Sequence, residues 1–288
     1  NEKLVNYYLN LFRQNTDLHD KVEFEILLTC FTPSTNQKLK NLRKEKFTEK
    51  EIKLIREKLI NINLIAFEQF EKNIEKIEKH KKKQLIIKNS KKHFIDKINW
   101  YIEDCKKYGT YPFAGLARCG FIAIELLNSF VKEKIISEED KNNFLQSLDT
   151  VTSNIIFDNN KLTQKKFLSI YGHLRPNTYE ISSLNYKDGY KIYFKKKKEI
   201  FNKKIKKNKF NFNKAQLKKV SKFLKKNKID INNNDLEAFI RKSIQYREYS
   251  KFIFTKNIDL IFEELKKFFK KLGLNKNDLS FLEIKDIL

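Results

Sequence analysis

The chain has 288 residues, room for one large domain or two smaller ones, and its 40% hydrophobic content with 25 Phe excludes disorder as the main state despite 34% charged residues. Six Gly and three Pro exclude a fold of many short strands and turns, and suit long helices joined by short polar loops. The formal charge of +25 invites a polyanionic partner, yet the positive residues are mostly Lys rather than the Arg that reads bases by bidentate contacts, and Lys runs are commonly solvated faces.

In chain order, Leu4, Val5, Tyr8, Leu11 and Phe12 give a helical spacing over 2–14. Thr16 and Asp17 are set to cap a second helix carrying Val22, Phe24, Ile26 and Leu27, broken at Thr32-Pro33-Ser34. Thr48 with Glu51 forms a capping box, and an amphipathic helix is predicted from there to about Lys79. Ser90 to Lys107 reads as another helix. Pro112 opens a helix rich in small residues (Ala114, Gly115, Ala117, Gly120, Ala123) that let a neighbouring backbone approach, so a central position is expected. Ser137 with Asp140 caps a helix expected to reach about Ser153, and Thr163 to Tyr171 is a short helix feeding a polar turn.

Lys191 to Lys228 holds seventeen Lys against the single Glu199, interleaved with Phe194, Phe201, Phe210, Phe212 and Phe223. It reads as a surface arm with its aromatics facing the core, or as a patch for polyanions. A helix capped at Asn234 or Asp235 is expected to end near Tyr249, with another over Ser250–Leu272 and a short closing element. The resulting expectation is an all-α, bundle-like array with one polar turn or short extended segment near 171–190. Its divisions are a main region at 1–190, a basic arm at 191–230, and C-terminal helices at 231–288 packing back on the first.

No GxxxxGK[ST], GxGxxG or GxSxG motif occurs, so a glycine-wrapped phosphate site or a nucleophile elbow is not expected. His19, His80, His93 and His173 lack zinc-ligand spacing, and no metal site is expected. Cys30, Cys105 and Cys119 form no CxxC pair, so a reducing cytoplasm is the default. No signal peptide is visible, and no apolar run approaches a membrane span. The chain begins at Asn1 and lacks Met, which points to a piece of a longer protein.

Polar groups with chemistry concentrate in Tyr171-Gly-His-Leu-Arg-Pro-Asn-Thr-Tyr-Glu180. Arg175 there binds an anionic oxygen while His173 donates a hydrogen bond or moves a proton; the bland alternative ties His173 to backbone and pairs Arg175 with Glu180. Arg118, among small and apolar neighbours, reads as a buried cation with an internal or ligand anion. Arg247 and Lys251, four apart, can clamp a phosphate or belong to a ladder through Glu248. His19 and Glu23 share a predicted helix face; His80, preceding Lys81-Lys82-Lys83, and His93 read as exposed.

Thr110-Tyr-Pro-Phe-Ala-Gly-Leu-Ala-Arg-Cys-Gly-Phe-Ile-Ala123, the Tyr171–Glu180 block and Arg247-Glu-Tyr-Ser-Lys-Phe-Ile-Phe-Thr255 together resemble the central helical region of phosphoenolpyruvate synthase-like enzymes, relatives of rifampin phosphotransferase. His19-Asp-Lys-Val-Glu-Phe24 and Asp278–Ile287 fit the same order. The resemblance implies an acceptor-binding region whose ATP-grasp domain and mobile phosphohistidine domain lie elsewhere in the parent chain. It places ATP and Mg2+ on the parent, with no cofactor inside this segment, and turnover is not expected of the segment alone. It implies catalytic roles for His173 and Glu180, and an anionic small-molecule acceptor held by Arg175, Arg118, Arg247, Lys251, Tyr171 and Thr178. Asn177 and Glu180 stand where the family often has Gly and Asp, and Cys119 where His is expected. The rival expectation is a non-catalytic basic module that binds nucleic acid through Lys191–Lys228; a scaffold that has lost turnover is the third.

Overall fold

A computed structural model describes residues 2–18, 22–194 and 210–287; for Glu23, Phe24 and Ile284 it describes the backbone alone. The described residues are helical with no strand among them, so the chain is an all-α, bundle-like array. The helices are α1 (Glu2–Gln14), α2 (Thr35–Lys44), α3 (Glu49–Asn89), α4 (Phe94–Asp104), α5 (Tyr111–Lys132), α6 (Glu138–Gln146), α7 (Val151–Lys161), α8 (Gln164–Tyr171), α9 (Tyr190–Tyr193), α10 (Lys214–Lys226) and α11 (Asn233–Lys270). Single tight or wide turns occupy Thr16–Leu18, Val22–Ile26, Asp278–Phe281 and Ile284–Asp286, and a π-turn at Cys105–Thr110 joins α4 to α5. The basic stretch therefore holds α10, while 195–209 lie outside the described residues.

Local chemistry sets several helix starts. Thr48 N–H donates to Glu51 Oε2 at 2.7 Å and Glu51 N–H donates back to Thr48 Oγ1 at 3.3 Å, launching α3. Ser137 and Asp140 exchange bonds the same way before α6. The helix expected to continue to Ser153 instead stops at Gln146, because Thr150 and Ser153 form a second box that starts α7. The helix expected to stop near Lys79 runs on to Asn89: Ile77, His80, Gln84 and Ile87, all buried, continue its inner stripe. The break expected between Tyr249 and Ser250 is absent. Ser250 is fully buried inside α11, and its hydroxyl is satisfied by the Arg247 carbonyl one turn back (3.2 Å).

The chain forms two compact units. The first comprises Asn1–Phe70, Arg118–Leu148 and Lys207–Ile244; the second comprises Glu71–Ala117, Asp149–Lys206 and Gln245–Leu288. Each unit is assembled from three separate stretches, so the sequence divisions at 190 and 230 are not where the units part. In the first, Leu39, Leu42, Phe47 and Ile52 form one cluster. Phe144 stacks on Phe212 at 5.4 Å, and Phe67 meets Phe239 edge-on at 4.6 Å. In the second, Ile87, Ile98, Tyr101, Ile181, Ile261, Leu265 and Leu279 build the core.

Helical residues Phe94–Lys132 are, by length and composition, apolar enough to cross a membrane, which the sequence reading had not anticipated; half of the most apolar window is buried within the protein. Leu116, Cys119, Ile122, Ala123, Leu127 and Phe130 are buried at the spacing of one helix face, as in a core helix.

Candidate functional site

The polar segment after α8 lies in the second unit and folds as consecutive turns, without the extended piece that was the alternative. Tyr186 N–H donates to Leu174 O (2.7 Å) and Lys187 N–H to Gly172 O (3.1 Å), folding the segment back on itself. Asn185 pins the exit: its Oδ1 accepts from Asp188 N–H at 2.9 Å and its Nδ2 donates to Asp259 at 2.9 Å.

The side chains singled out in this segment are largely engaged by the protein itself. Tyr171 is buried, and its hydroxyl donates to Asp158 Oδ2 at 2.8 Å; burial, then the Asp158 carboxylate, push the phenol up. His173 is buried with Nε2 3.0 Å from the Phe252 carbonyl of α11. A second backbone bond ties its ring to Ile170. Burial, with further contributions from the Lys256 and Arg175 charges, pushes His173 down to about 4, so the ring is neutral at physiological pH.

Arg175 was expected to hold a ligand anion. Its side chain is only 2% exposed and forms an ion pair with Asp259, lies 4.8 Å over the Phe262 ring, and donates to the carbonyls of Ser183 (3.3 Å) and Glu180 (3.5 Å). The guanidinium is consumed internally, by Asp259 rather than by the Glu180 carboxylate. Glu180 itself accepts from Ser182 N–H (3.0 Å) and Ser182 Oγ (2.9 Å), and these bonds hold its carboxyl below the usual range. That is a turn-closing arrangement, opposite in direction to a carboxylate tuned as a general base at neutral pH. Thr178 is half-buried in the same turn.

Arg247 and Lys251 are exposed on α11, one turn apart and therefore on one side of that helix. Arg118 is exposed rather than buried: the inner stripe of α5 passes through Leu116 and Cys119, leaving Arg118 outside it. It belongs to the first unit, whereas His173, Arg175, Arg247 and Lys251 belong to the second. Cys119 is buried, its thiol 3.7 Å from the Ala66 carbonyl. His93 is exposed as expected, while His80 is fully buried, contrary to the reading drawn from its lysine neighbours. Both His80 ring nitrogens lack a hydrogen-bond partner among the described residues. His19 lies outside the described residues, and nothing of the Glu23 side chain is described, so their shared face is not visible.

Two surface hollows are lined by other residues: one of about 550 Å³ by Lys83, Asp104, Lys107, Tyr108 and neighbours, one of about 380 Å³ by Lys3, Asn6, Tyr7 and Phe47 among others. No group of three or more His, Cys, Asp or Glu suited to a metal occurs among the described residues.

Sequence reasoning missed Lys256, Asp259 and Asn185. Asn257 and Asp259 are polar residues at buried positions of α11, and that interruption of an apolar stripe was the available signal. Lys256 is half-buried; burial, then repulsion from Lys88 and Lys81, holds its ammonium below the usual lysine range. The second unit thus combines a rigid neutral imidazole, a sealed Arg175–Asp259 pair and a crowded set of lysines. Comparison of the chain with protein-family profiles, curated proteins and solved structures gave no match.

Proposed function

We propose that this chain is the acceptor-binding helical segment of a phosphoenolpyruvate synthase-like phosphotransferase, receiving a phosphoryl group carried by a histidine on a separate domain. One observation supports the reading: of the three sequence blocks that resemble that family, the first two pack against the third, on one stretch of α11. Phe113 of the first block meets Phe254 at 5.1 Å. From the second block, the Tyr171 ring lies 5.8 Å from Phe252 and His173 bonds the Phe252 carbonyl. Both phenylalanines belong to the third block. Residues widely separated in the chain thereby build one rigid frame, the usual support for a precisely aimed site.

In this reading His173, Arg175 and Glu180 position the frame instead of touching the acceptor. Arg247 and Lys251, presented by the same helix, supply the cationic groups. Their role is electrostatic, stabilising charge that spreads over the transferring phosphoryl oxygens. ATP and Mg2+ act on the parent's other domains.

The test is made in the parent protein. Arg247→Ala with Lys251→Ala lowers acceptor-dependent phosphate transfer, while phosphorylation of the carrier histidine proceeds as before. Unchanged transfer overturns the reading.

A further inference from the structure

Lys76, Lys79 and Lys83 fall at helical spacing on one stripe of α3, and that stripe meets the π-turn joining α4 to α5 and the first residue of α5. Distances fix the pairing. Lys79 Nζ lies 5.0 Å and Lys83 Nζ 5.1 Å from the centre of the Tyr108 ring, and Lys76 Nζ lies 5.5 Å from that of Tyr111. Lys107, from the turn itself, brings a third ammonium group to 5.4 Å from the Tyr108 centre. The electron-rich face of a phenol ring attracts cations, so Tyr108 gathers three ammonium groups that would otherwise repel one another. All of these residues belong to the second unit.

Lys83, Lys107, Tyr108 and Tyr111 line the hollow of about 550 Å³, together with Glu103, Asp104 and Lys106. Two of its cations are neutralised: Lys83 by Asp104 at 2.9 Å, and Lys106 by Glu103 at 2.7 Å. Lys79 and Lys107 are exposed and make no ion pair among the described residues, which leaves two positive charges gathered at one ring. A phosphate monoester carries about −1.5 to −2 at neutral pH, so a single such group matches them. The two carboxylates in the same hollow oppose a longer run of phosphates. Tyr111 is 71% exposed and offers its ring as a stacking surface beside these cations. The volume falls within the range of small-ligand sites, about 300–1,000 Å³, and suits one flat base with its sugar and phosphate.

We propose that this hollow binds a nucleoside monophosphate, with the phosphate held by Lys79 and Lys107 and the base stacked on Tyr111. The site uses none of the residues assigned to phosphoryl transfer above and does not rest on that reading.

The test is calorimetric titration of the intact chain with adenosine 5′-monophosphate, adenosine and inorganic phosphate, each at matched ionic strength. Every base has a stacking face, so adenine serves for the class. The expected result is saturable binding of the monophosphate, at least about tenfold tighter than that of adenosine or phosphate alone. Lys79→Met with Lys107→Met weakens it by about tenfold or more, and Tyr111→Ala by about tenfold, whereas Tyr111→Phe retains it. The three side chains changed are exposed, so the variants keep the fold, as their thermal melts will show. Monophosphate bound no more tightly than phosphate, affinity undiminished in both the Lys79→Met/Lys107→Met and the Tyr111→Ala variants, or binding of an oligoadenylate strand without binding of the monophosphate overturns the site. Failure here leaves the transfer test of Arg247 and Lys251 unaffected, so the two readings fall separately.

Discussion

Arg175 and Asp259 form a buried ion pair across 84 residues of sequence, and Asn185 donates to the same carboxylate oxygen at 2.9 Å. This links the polar turn to α11. Removing one partner leaves the other charged and without its counter-ion in a poorly solvated place, which costs about 3–5 kcal/mol. Arg175→Met or Asp259→Leu is therefore expected to lower the urea midpoint of the second unit sharply. The double variant, Arg175→Met with Asp259→Leu, is expected to recover much of the loss. Denaturation of all four proteins gives the coupling directly, and strictly additive losses would show that the pair is not acting as one.

His80 gives a prediction about acid stability. Burial pushes it down to about 4, against a weak opposing pull from Asp104. Between about 6.5 and about 4 the unfolded chain takes up a proton at this ring and the folded chain does not. Stability is fully present above that window and falls as pH drops through it, by something on the order of 3 kcal/mol. His80→Leu is expected to remove that part of the pH dependence. At pH 7 the substitution costs little, because neither nitrogen forfeits a bond. Urea midpoints at pH 7 and pH 4.5 decide it; an unaltered difference between the two pH values contradicts the assignment.

Gly109, in the π-turn, packs where a side chain would collide. A Cβ there would lie 3.0 Å from Phe254 Cβ and 3.1 Å from His80 Nε2. Phe254 Cβ sits at the root of a buried ring and cannot swing away. Gly109→Ala is expected to destabilise by about 1–3 kcal/mol through overpacking, outweighing the roughly 1 kcal/mol that alanine otherwise contributes in a helix. A thermal melt at or above that of the parent chain would show that the turn yields.

The frame was legible in the sequence because helix signals are local. Thr48 with Glu51 and Ser137 with Asp140 are readable within four residues, and both start helices as expected. Thr150 was passed over because its partner at the third position is Ser153 rather than an acidic residue, although the geometry is the same. His80 was misread from the composition of its neighbours; the spacing of Ile77, Gln84 and Ile87 would have placed it inside. The site was less legible. Arg175, His173 and Tyr171 announce chemistry by type, but the choice between a ligand and an internal partner depends on Asp259, Phe252 and Asp158, and for Arg175 and His173 that partner is about eighty residues away.

The three thiols have a practical consequence. Cys30, Cys105 and Cys119 are buried, and their surroundings push them up to about 12, 11 and 12. An alkylating reagent acts on the thiolate, so it meets almost nothing to attack until the surrounding helices separate. Cys105 belongs to one unit and the other two cysteines to its companion. Mass-resolved labelling over time would therefore serve as a pair of clocks, each timing the transient opening of its own half of the molecule without any added probe.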